Sequence, residues 1–456
     1  MKLEVVILAA GQGTRMKSSL PKVLHPVAGK PLLEHVLLNA RKLEPAAVHI
    51  VVGHGGEQVS RALASYQVNW VTQEQQLGTG HAVLQALPAV DRDSVVLVLY
   101  GDVPLTSAET LRALVAQATQ CPALLTAHVE QPSGYGRILR DASGALVGVV
   151  EEKDATPEQR LIAEINSGVM AAPARDLLEY LPRVGNDNKQ GEYYLPDVLS
   201  LAVSEGKTVA SSQALSELEI TGVNDRVQLN QVEREYQRRI AHQLLRDGVS
   251  LADAQRIDVR GVLRCGKDVV IDVNVVFEGE VVLGNQVTIG PNCVLRDVSI
   301  GDGSTVHAMS HLQEAVVAEQ CSIGPFARLR PGTHLAQGAR VGNFVETKKA
   351  IIGAGSKVNH LTYIGDCEMG SGVNIGAGTI TCNYDGVNKY KTQIGDGVFV
   401  GSNSTLVAPL EIEDGGFVAA GSTLTKPVAC NELAVSRARQ RNIQGWQRPA
   451  KSTEKE

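Results

Sequence analysis

A six-residue period beyond residue 259 constrains this chain more than any other feature. Ile394, Val400, Leu406, Ile412, Val418 and Leu424 follow one another at intervals of six, as do Leu283, Ile289 and Leu295, and Ile352, Val358 and Ile364. A glycine directly follows many of these aliphatic residues, as in Leu283-Gly284, Ile323-Gly324, Ile364-Gly365 and Val400-Gly401. A hexapeptide period predicts a β-helix in which each repeat forms one flat side of a coil. Three sides per turn make a triangular prism with the aliphatic residue pointing inward. An aromatic content of 4% and the concentration of 26 of the 45 glycines beyond residue 248 suit many tight turns and small interior positions. The architecture alone does not establish an enzyme, because such prisms also serve as trimerising scaffolds.

The interruptions of the period are therefore informative. Phe326–Gly332 and Asn343–Lys349 break the rhythm, and Thr379–Thr392 reads as an inserted loop. Between them lies Asn359-His360-Leu361-Thr362-Tyr363-Ile364. With Ile364 inward, His360 can lie on the outer surface near a corner. A neutral histidine there can take the proton of an amine being acylated. Arg330 and Lys348 flank it in sequence and suit a sugar phosphate. A solvated histidine on a plain face is the competing reading.

Residues 3–225 alternate apolar runs with helical patterns, which predicts an α/β sheet with crossover helices. Strands are expected at Val48–Val52, Val68–Val71, Val95–Tyr100, Ala123–Val129 and Val147–Glu151, and helices at Leu32–Leu43 and Ala108–Ala116. The first strand, Val5–Ala10, runs straight into Gly11-Gln12-Gly13-Thr14-Arg15-Met16, with Pro21-Lys22 shortly after. Two glycines let the backbone bend tightly and approach a ligand, and their amides with Arg15 and Lys22 suit phosphate oxygens. The dinucleotide fingerprint needs a third glycine where Met16 stands, and the P-loop needs a Gly-Lys-Ser/Thr that is missing here. In open α/β sheets ligands collect at the carboxyl ends of strands. Gln73 and Gln76-Leu77-Gly78-Thr79-Gly80-His81 follow one strand, and Tyr100-Gly101-Asp102 ends another. Asp102 is placed to hold Mg²⁺, which takes one or two protein oxygens besides phosphates and waters. A turn or helix-capping aspartate is the alternative for Asp102.

A chain of 456 residues should contain two or three domains. Its net charge of −6 argues against nucleic-acid and anionic-membrane partners. Seven scattered cysteines without a C-x-x-C pair fit reduced thiols in a cytoplasmic protein. The start of the chain lacks a secretory pattern, with Glu4 inside the short apolar run, and no run is long enough to span a membrane. Residues 225–247 carry Leu229, Val232, Tyr236, Ile240 and Leu244 on one helical face, and Gly248 is a natural stop. This reads as a rigid connector about 30 Å long, with a short coiled coil as the weaker alternative. The domains expected are thus 1–226, a helical linker 227–247, and 248–456 ending in a polar tail that reads as disordered after Trp446.

The Leu8-Ala9-Ala10-Gly11-x-Gly-Thr-Arg-Met turn with Pro21-Lys22 resembles the signature of the sugar-phosphate nucleotidyltransferases. Taken with the hexapeptide half, residues 4 to about 447 resemble the bacterial family that joins an N-acetylglucosamine-1-phosphate uridyltransferase to a glucosamine-1-phosphate N-acetyltransferase. The resemblance implies a Rossmann-like α/β nucleotidyltransferase domain followed by a left-handed parallel β-helix, assembled as a homotrimer. It implies acetyl-CoA and UTP as co-substrates and Mg²⁺ as cofactor. Arg15 and Lys22 would neutralise the triphosphate held by Leu8, Ala9, Ala10 and Gly11. Gln73, Gly78 and Thr79 would meet the base, Tyr100 and Gly101 would line the site, and Asp102 and Asn224 would hold the metal. Gly136, Glu151 and Asn166 would contact sugar hydroxyls and the acetamido group. In the second half His360 would be the acetyltransferase base, and Arg330, Lys348, Tyr363 and Asn374 would bind the amino-sugar phosphate. Ala377, Asn383, Tyr384, Ser402, Ala420 and Arg437 would bind acetyl-CoA or line its channel. Acetylation would come first, then in-line attack of a sugar-phosphate oxygen on the α-phosphorus of UTP. Two other classes stay open: a single-activity nucleotidyltransferase whose β-helix only assembles or regulates, and a non-catalytic subunit with a degenerate first domain.

Overall fold

The computed structural model describes residues 2–11, 13–53 and 55–450. The chain divides into two compact units, Met1–Ile240 and Ala241–Glu456.

The first unit is built on a mixed sheet. Its strands lie in the order Ala210–Gln213, Ala123–His128, Glu164–Pro173, Val95–Tyr100, Leu3–Ala9, Ala47–Val52 and Asn69–Thr72. All neighbours pair in parallel except Glu164–Pro173, which runs antiparallel to both of its own. Leu3–Ala9 sits between Val95–Tyr100 and Ala47–Val52, and all seven of its residues are buried. Val5, Ile7 and Ala9 enter one apolar layer, and Val6 and Leu8 enter the other. A strand covered on both faces is apolar along nearly its whole length, which is why Val5–Ala9 carries no alternation; its one charged residue, Glu4, is buried against His49 at 3.0 Å. Its carboxyl end and that of Val95–Tyr100 deliver the glycine turn and Asp102 side by side, with Gly101 N bonded to Leu8 O at 2.9 Å.

Glu164–Pro173 is a ten-residue strand that none of the strands expected from the sequence covers, and it carries Asn166. Its polar Asn166-Ser167-Gly168 stretch hides the strand because the register shifts there, between Asn166 and Met170. A hairpin of Arg137–Arg140 and Leu146–Val150 pairs with this strand at Ile165.

The helix Arg226–Arg246 does more than connect. Val232 is fully buried, and Leu229, Tyr236 and Ile240 pack with it on Met16, Val27, Leu32, Leu105 and Val223 of the first unit. Ala28 N donates to Glu233 Oε2 at 2.7 Å, and Arg239 Nη1 donates to Leu105 O at 2.8 Å. The apolar stripe read as a connector's face therefore closes a core beneath the glycine turn.

The second unit is the β-helix. One parallel sheet of eleven short strands stacks Ile271, Ile289, Val306, Ile323, Val341, Val358, Ile375, Val400 and Val418 in a single inward column. Successive members are roughly 18 residues apart, three hexapeptides to a coil, except Ile375 and Val400, between which the inserted loop lies. The second sheet contains longer strands, such as Val294–Ile300 and His311–Val317, which turn a corner and cover the other two sides. The corner is made by residues in the left-handed region, Asp297, Glu314, Lys349 and Asp366, each leaving the burial alternation out of step.

Two interruptions are visible as structure. Phe326–Gly332 splits one long strand into Arg328–Leu329 and Thr333–Leu335. Thr379–Thr392 contains an insertion, though a shorter one than the sequence suggests: Ile380–Cys382 is a strand paired with Thr405–Val407, and the chain leaves the prism only after Cys382, to return at Thr392, which pairs with Cys367. The third, Asn343–Lys349, is not a break. Glu346–Ile352 is an unbroken strand, and Thr347 occupies an inward position with its Oγ1 3.0 Å from Thr333 Oγ1. A polar pair satisfied inside the prism makes a regular coil look irregular in sequence. No helix among the described residues is long and apolar enough to cross a membrane.

Candidate functional sites

In the first unit the carboxyl ends of the central strands open into a cleft of about 440 Å³. It is lined by Leu8, Ala9, Ala10, Gly11, Lys22, Gln73, Gly78, Thr79, Tyr100 and Asp102, together with Thr14, Gln76 and Glu192. The turn that leads into it uses its second glycine fully. Gly13 has φ 60° and ψ 34°, and a Cβ there would lie 2.6 Å from Lys22 Cβ. Lys22 thereby packs directly on the turn. Gln12 lies outside the described residues, and Arg15 is exposed beside the cleft rather than lining it.

Lys22 Nζ bonds to Asp102 Oδ2 and, at 3.2 Å, to Asn224 Oδ1. Lys22 and Asp102 are 13% and 16% exposed, so the pair is largely withdrawn from water. Two oxygens from positions 102 and 224 converge on one cation. That donor set, hard oxygens with a single carboxylate, is the kind that Mg²⁺ takes alongside phosphates.

Gly136, Glu151 and Asn166 are gathered next to this cleft. Asn166 N donates to Gly136 O at 2.8 Å, and a Cβ on Gly136 would meet Glu151 Oε1 at 2.9 Å. Burial pushes the Glu151 carboxyl above its usual range, and the Asp197 and Asp154 carboxylates add to it, while a bond with Asn166 opposes them. Burial likewise raises the Tyr100 hydroxyl against a bond with Thr79. The ring of Tyr100 lies against Gly168, where a Cβ would come within 2.7 Å of it. Tyr100 thus joins the cleft to the Asn166 strand.

In the second unit His360 ends the strand Lys357–His360 with its side chain exposed. Its Nδ1 lies 2.9 Å from Asn343 Oδ1, one coil below, in the register that pairs the two residues. With the Asn343 amide oxygen facing it, Nδ1 is the donor, and in the neutral ring that tautomer puts the lone pair on Nε2. Above His360, backbone bonds from Gly378 N to Leu361 O, Asn403 N to Ala377 O and Gly421 N to Ser402 O stack Ala377, Ser402 and Ala420 along the same corner. Arg437 Nη1 donates to Ala420 O at 2.7 Å and caps this column.

The cationic residues converge on the adjoining face. Arg330 Nη1 donates to Glu346 Oε1 at 2.7 Å, and Glu346 pairs with Tyr363 one coil on. Tyr363 folds back over Gly365, where a Cβ would lie 2.4 Å from its hydroxyl. Asn383 bonds to Asp366 and faces Tyr363. The Lys348 ammonium is held below its usual range, chiefly by Lys389 and then by Arg330. Three cations thus crowd one another, an arrangement relieved by an anionic ligand. Asn374 lies in the short-strand sheet, paired with Lys357 and Phe399, and Tyr384 is exposed on the inserted loop.

A family model of the MobA-like NTP transferase domain matches residues 5–185. A protein of Marinobacter nauticus named Bifunctional protein GlmU is 56% identical over 451 residues, covering 99% of each chain. Its namesake in Cellvibrio japonicus is 57% identical over 452 residues, covering 99% of this chain and 100% of its own. The chain belongs to the GlmU family. It is a bifunctional enzyme, a sugar-phosphate uridyltransferase joined to an amino-sugar N-acetyltransferase.

Two residues of the second site that sequence reading leaves without a role are Asn343 and Lys389. Asn343 was findable, since it precedes His360 by one coil length. Lys389 was not, because only the path of the inserted loop brings it to Lys348.

Proposed function

We propose that the two sites of this GlmU-family chain perform successive steps on one amino-sugar phosphate, and that the residues gathered above divide the work as follows. In the β-helix, glucosamine-1-phosphate lies with its phosphate on Arg330, Lys348 and Lys389, beside Tyr363 and Asn374. Acetyl-CoA follows the corner column of Ala377, Ser402 and Ala420 toward Arg437, with Asn383 and Tyr384 at its side. The neutral amine attacks the thioester carbonyl, His360 Nε2 takes the amine proton, and the carbon–sulfur bond breaks to release CoA. The Asn343 contact supports this role, because in the neutral ring it selects the tautomer whose Nε2 carries the lone pair.

In the α/β unit the resulting N-acetylglucosamine-1-phosphate lies against Gly136, Glu151 and Asn166, near Tyr100 and Gly101. UTP lies over Leu8–Gly11, with its base toward Gln73, Gly78 and Thr79. A sugar-phosphate oxygen attacks the α-phosphorus in line, that P–O bond forms, and the bond to the β-phosphate breaks to release pyrophosphate. Lys22 neutralises phosphate charge from within the cleft, and Arg15 does so from its rim. Asp102 and Asn224 would hold Mg²⁺, which supplies charge neutralisation at the phosphates when bound. The convergence of both oxygens on Lys22 Nζ is the observation that carries this reading. Asn224→Ala should raise the Mg²⁺ concentration for half-maximal uridylyl transfer roughly tenfold and leave acetyl transfer unchanged, as losing one of few ligands requires. An unaltered Mg²⁺ titration would remove Asn224 from the metal site.

We read the assembly as a homotrimer and the location as cytoplasmic. Exposed aromatic stacks on the β-helix, Phe326 on Phe344 at 5.2 Å and Phe399 on Phe417 at 4.6 Å, support self-association. Seven free cysteines support a reducing compartment.

A further inference from the structure

Gln73 leaves the strand Asn69–Thr72 with its backbone N bonded to Val52 O at 2.8 Å, and only 3% of its surface is exposed. Its side-chain Nε2 lies 3.2 Å from Gly78 O and 2.9 Å from His81 Nδ1. A backbone carbonyl can only accept, so the amide group facing Gly78 is the NH₂. Its second hydrogen then points at His81 Nδ1, which must hold a lone pair. The ring proton is therefore on Nε2, and Gln85, whose amide nitrogen lies 3.2 Å from that atom and 3.5 Å from His81 O, must turn its amide oxygen toward the ring to receive it, giving up the longer contact to His81 O. With both amide hydrogens of Gln73 engaged, its Oε1 is the polar atom left to offer the cleft, and Oε1 makes no hydrogen bond among the described residues.

We infer that His81 is a positioning residue for base selection: its unprotonated Nδ1 locks the Gln73 amide with the oxygen toward the nucleotide. An oxygen held there accepts the imino N–H of uracil and opposes the ring-nitrogen lone pair that cytosine presents at the same edge. A free amide could rotate and welcome either base. The helix Thr79–Ala86 serves this lock by setting His81 and Gln85 one turn apart and supplying Gly78 O at its start. The inference rests on the reading that Gln73 meets the base.

The test is the ratio of kcat/KM for UTP to that for CTP, measured on the full chain with N-acetylglucosamine-1-phosphate and Mg²⁺. His81→Leu should lower the ratio roughly tenfold, the scale of one well-made polar base contact. His81→Asn, whose Oδ1 can stand where Nδ1 stands, should keep the ratio within a few-fold of wild type. A general loosening of the loop would affect both variants alike. If His81→Leu leaves the ratio unchanged while Gln73→Leu lowers it, the lock is wrong and the base contact stands. If Gln73→Leu also leaves it unchanged, the base reading itself fails. Should His81→Leu not fold, ¹⁵N chemical shifts of the wild-type imidazole decide: the Nε2–H tautomer is expected, and an Nδ1–H tautomer overturns the inference.

Discussion

Gly13→Ala should damage uridylyl transfer out of proportion to the single methyl it adds. Two costs follow from the geometry. An alanine held at φ 60° and ψ 34° is strained by about 1–2 kcal/mol. Its Cβ would also lie 2.6 Å from Lys22 Cβ, whereas carbon atoms pack at about 3.5–4.0 Å. One of the two must give by about 1 Å, and a shift of that size in a positioned group costs on the order of 100-fold in rate. Lys22 is tied to Asp102 and Asn224, so the shift passes into the proposed metal site. We expect kcat/KM for UTP to fall about 100-fold and the first unit to melt roughly 2–8 °C lower. Acetyl transfer in the same preparation should be unchanged. Gly11→Ala is the internal comparison. Nothing lies within 4 Å of a Cβ there and no left-handed backbone is required, but Gly11 lines the cleft. That variant should raise KM for UTP with normal melting. Gly13→Ala within threefold of wild type, or a Gly11→Ala that loses stability equally, would refute the argument.

Three further outcomes follow. A fragment ending at residue 226 loses the Val232 face and uncovers Met16, Val27, Leu32 and Leu105, so it should fail to fold, whereas fragment 1–246 should transfer uridylyl groups; circular dichroism melts of the two decide. Glu151→Gln should melt above wild type at pH 7. The wild-type carboxyl is pushed up by burial and by Asp197 and Asp154, so the folded state holds its proton more tightly than the unfolded state, and stability falls as pH rises from the ordinary glutamate range through the raised value. The advantage of the variant should vanish below that range. Asn343→Ala should cut acetyl transfer roughly tenfold without weakening acetyl-CoA binding, because it frees the His360 ring to take the wrong tautomer.

Much of the second unit was legible because its side chains repeat one decision. Each inward aliphatic residue fixes the next one six positions on, so Ile394 to Leu424 specify the prism without long-range knowledge. The reading failed at Thr347, where polar atoms inside the prism satisfy one another. In the first unit the central strand was legible from Val5–Ala10, since burial on both faces leaves that run without a polar residue. Glu164–Pro173 was not, because its register shift falls where the polar Asn166 and Ser167 interrupt the apolar run. The face of the Arg226–Arg246 helix was visible, but not its partner, because nothing local says that Val232 meets Met16. The candidate sites divide likewise. Asp102 and His360 stand out from neighbouring residues, whereas the bond of Lys22 to Asp102 and the approach of Lys389 to Lys348 exist only after the chain has folded.

The central claim is that one chain holds two chemically independent sites. Asp102→Ala and His360→Ala, each supplied with glucosamine-1-phosphate, acetyl-CoA, UTP and Mg²⁺ and followed by mass spectrometry of products, test it most directly. Asp102→Ala should stop at N-acetylglucosamine-1-phosphate. His360→Ala should slow acetylation by roughly two to four orders of magnitude yet convert supplied N-acetylglucosamine-1-phosphate to the UDP-sugar at the wild-type rate. Loss of both activities in either folded variant, or acetylation by His360→Ala within a few-fold of wild type, would contradict it.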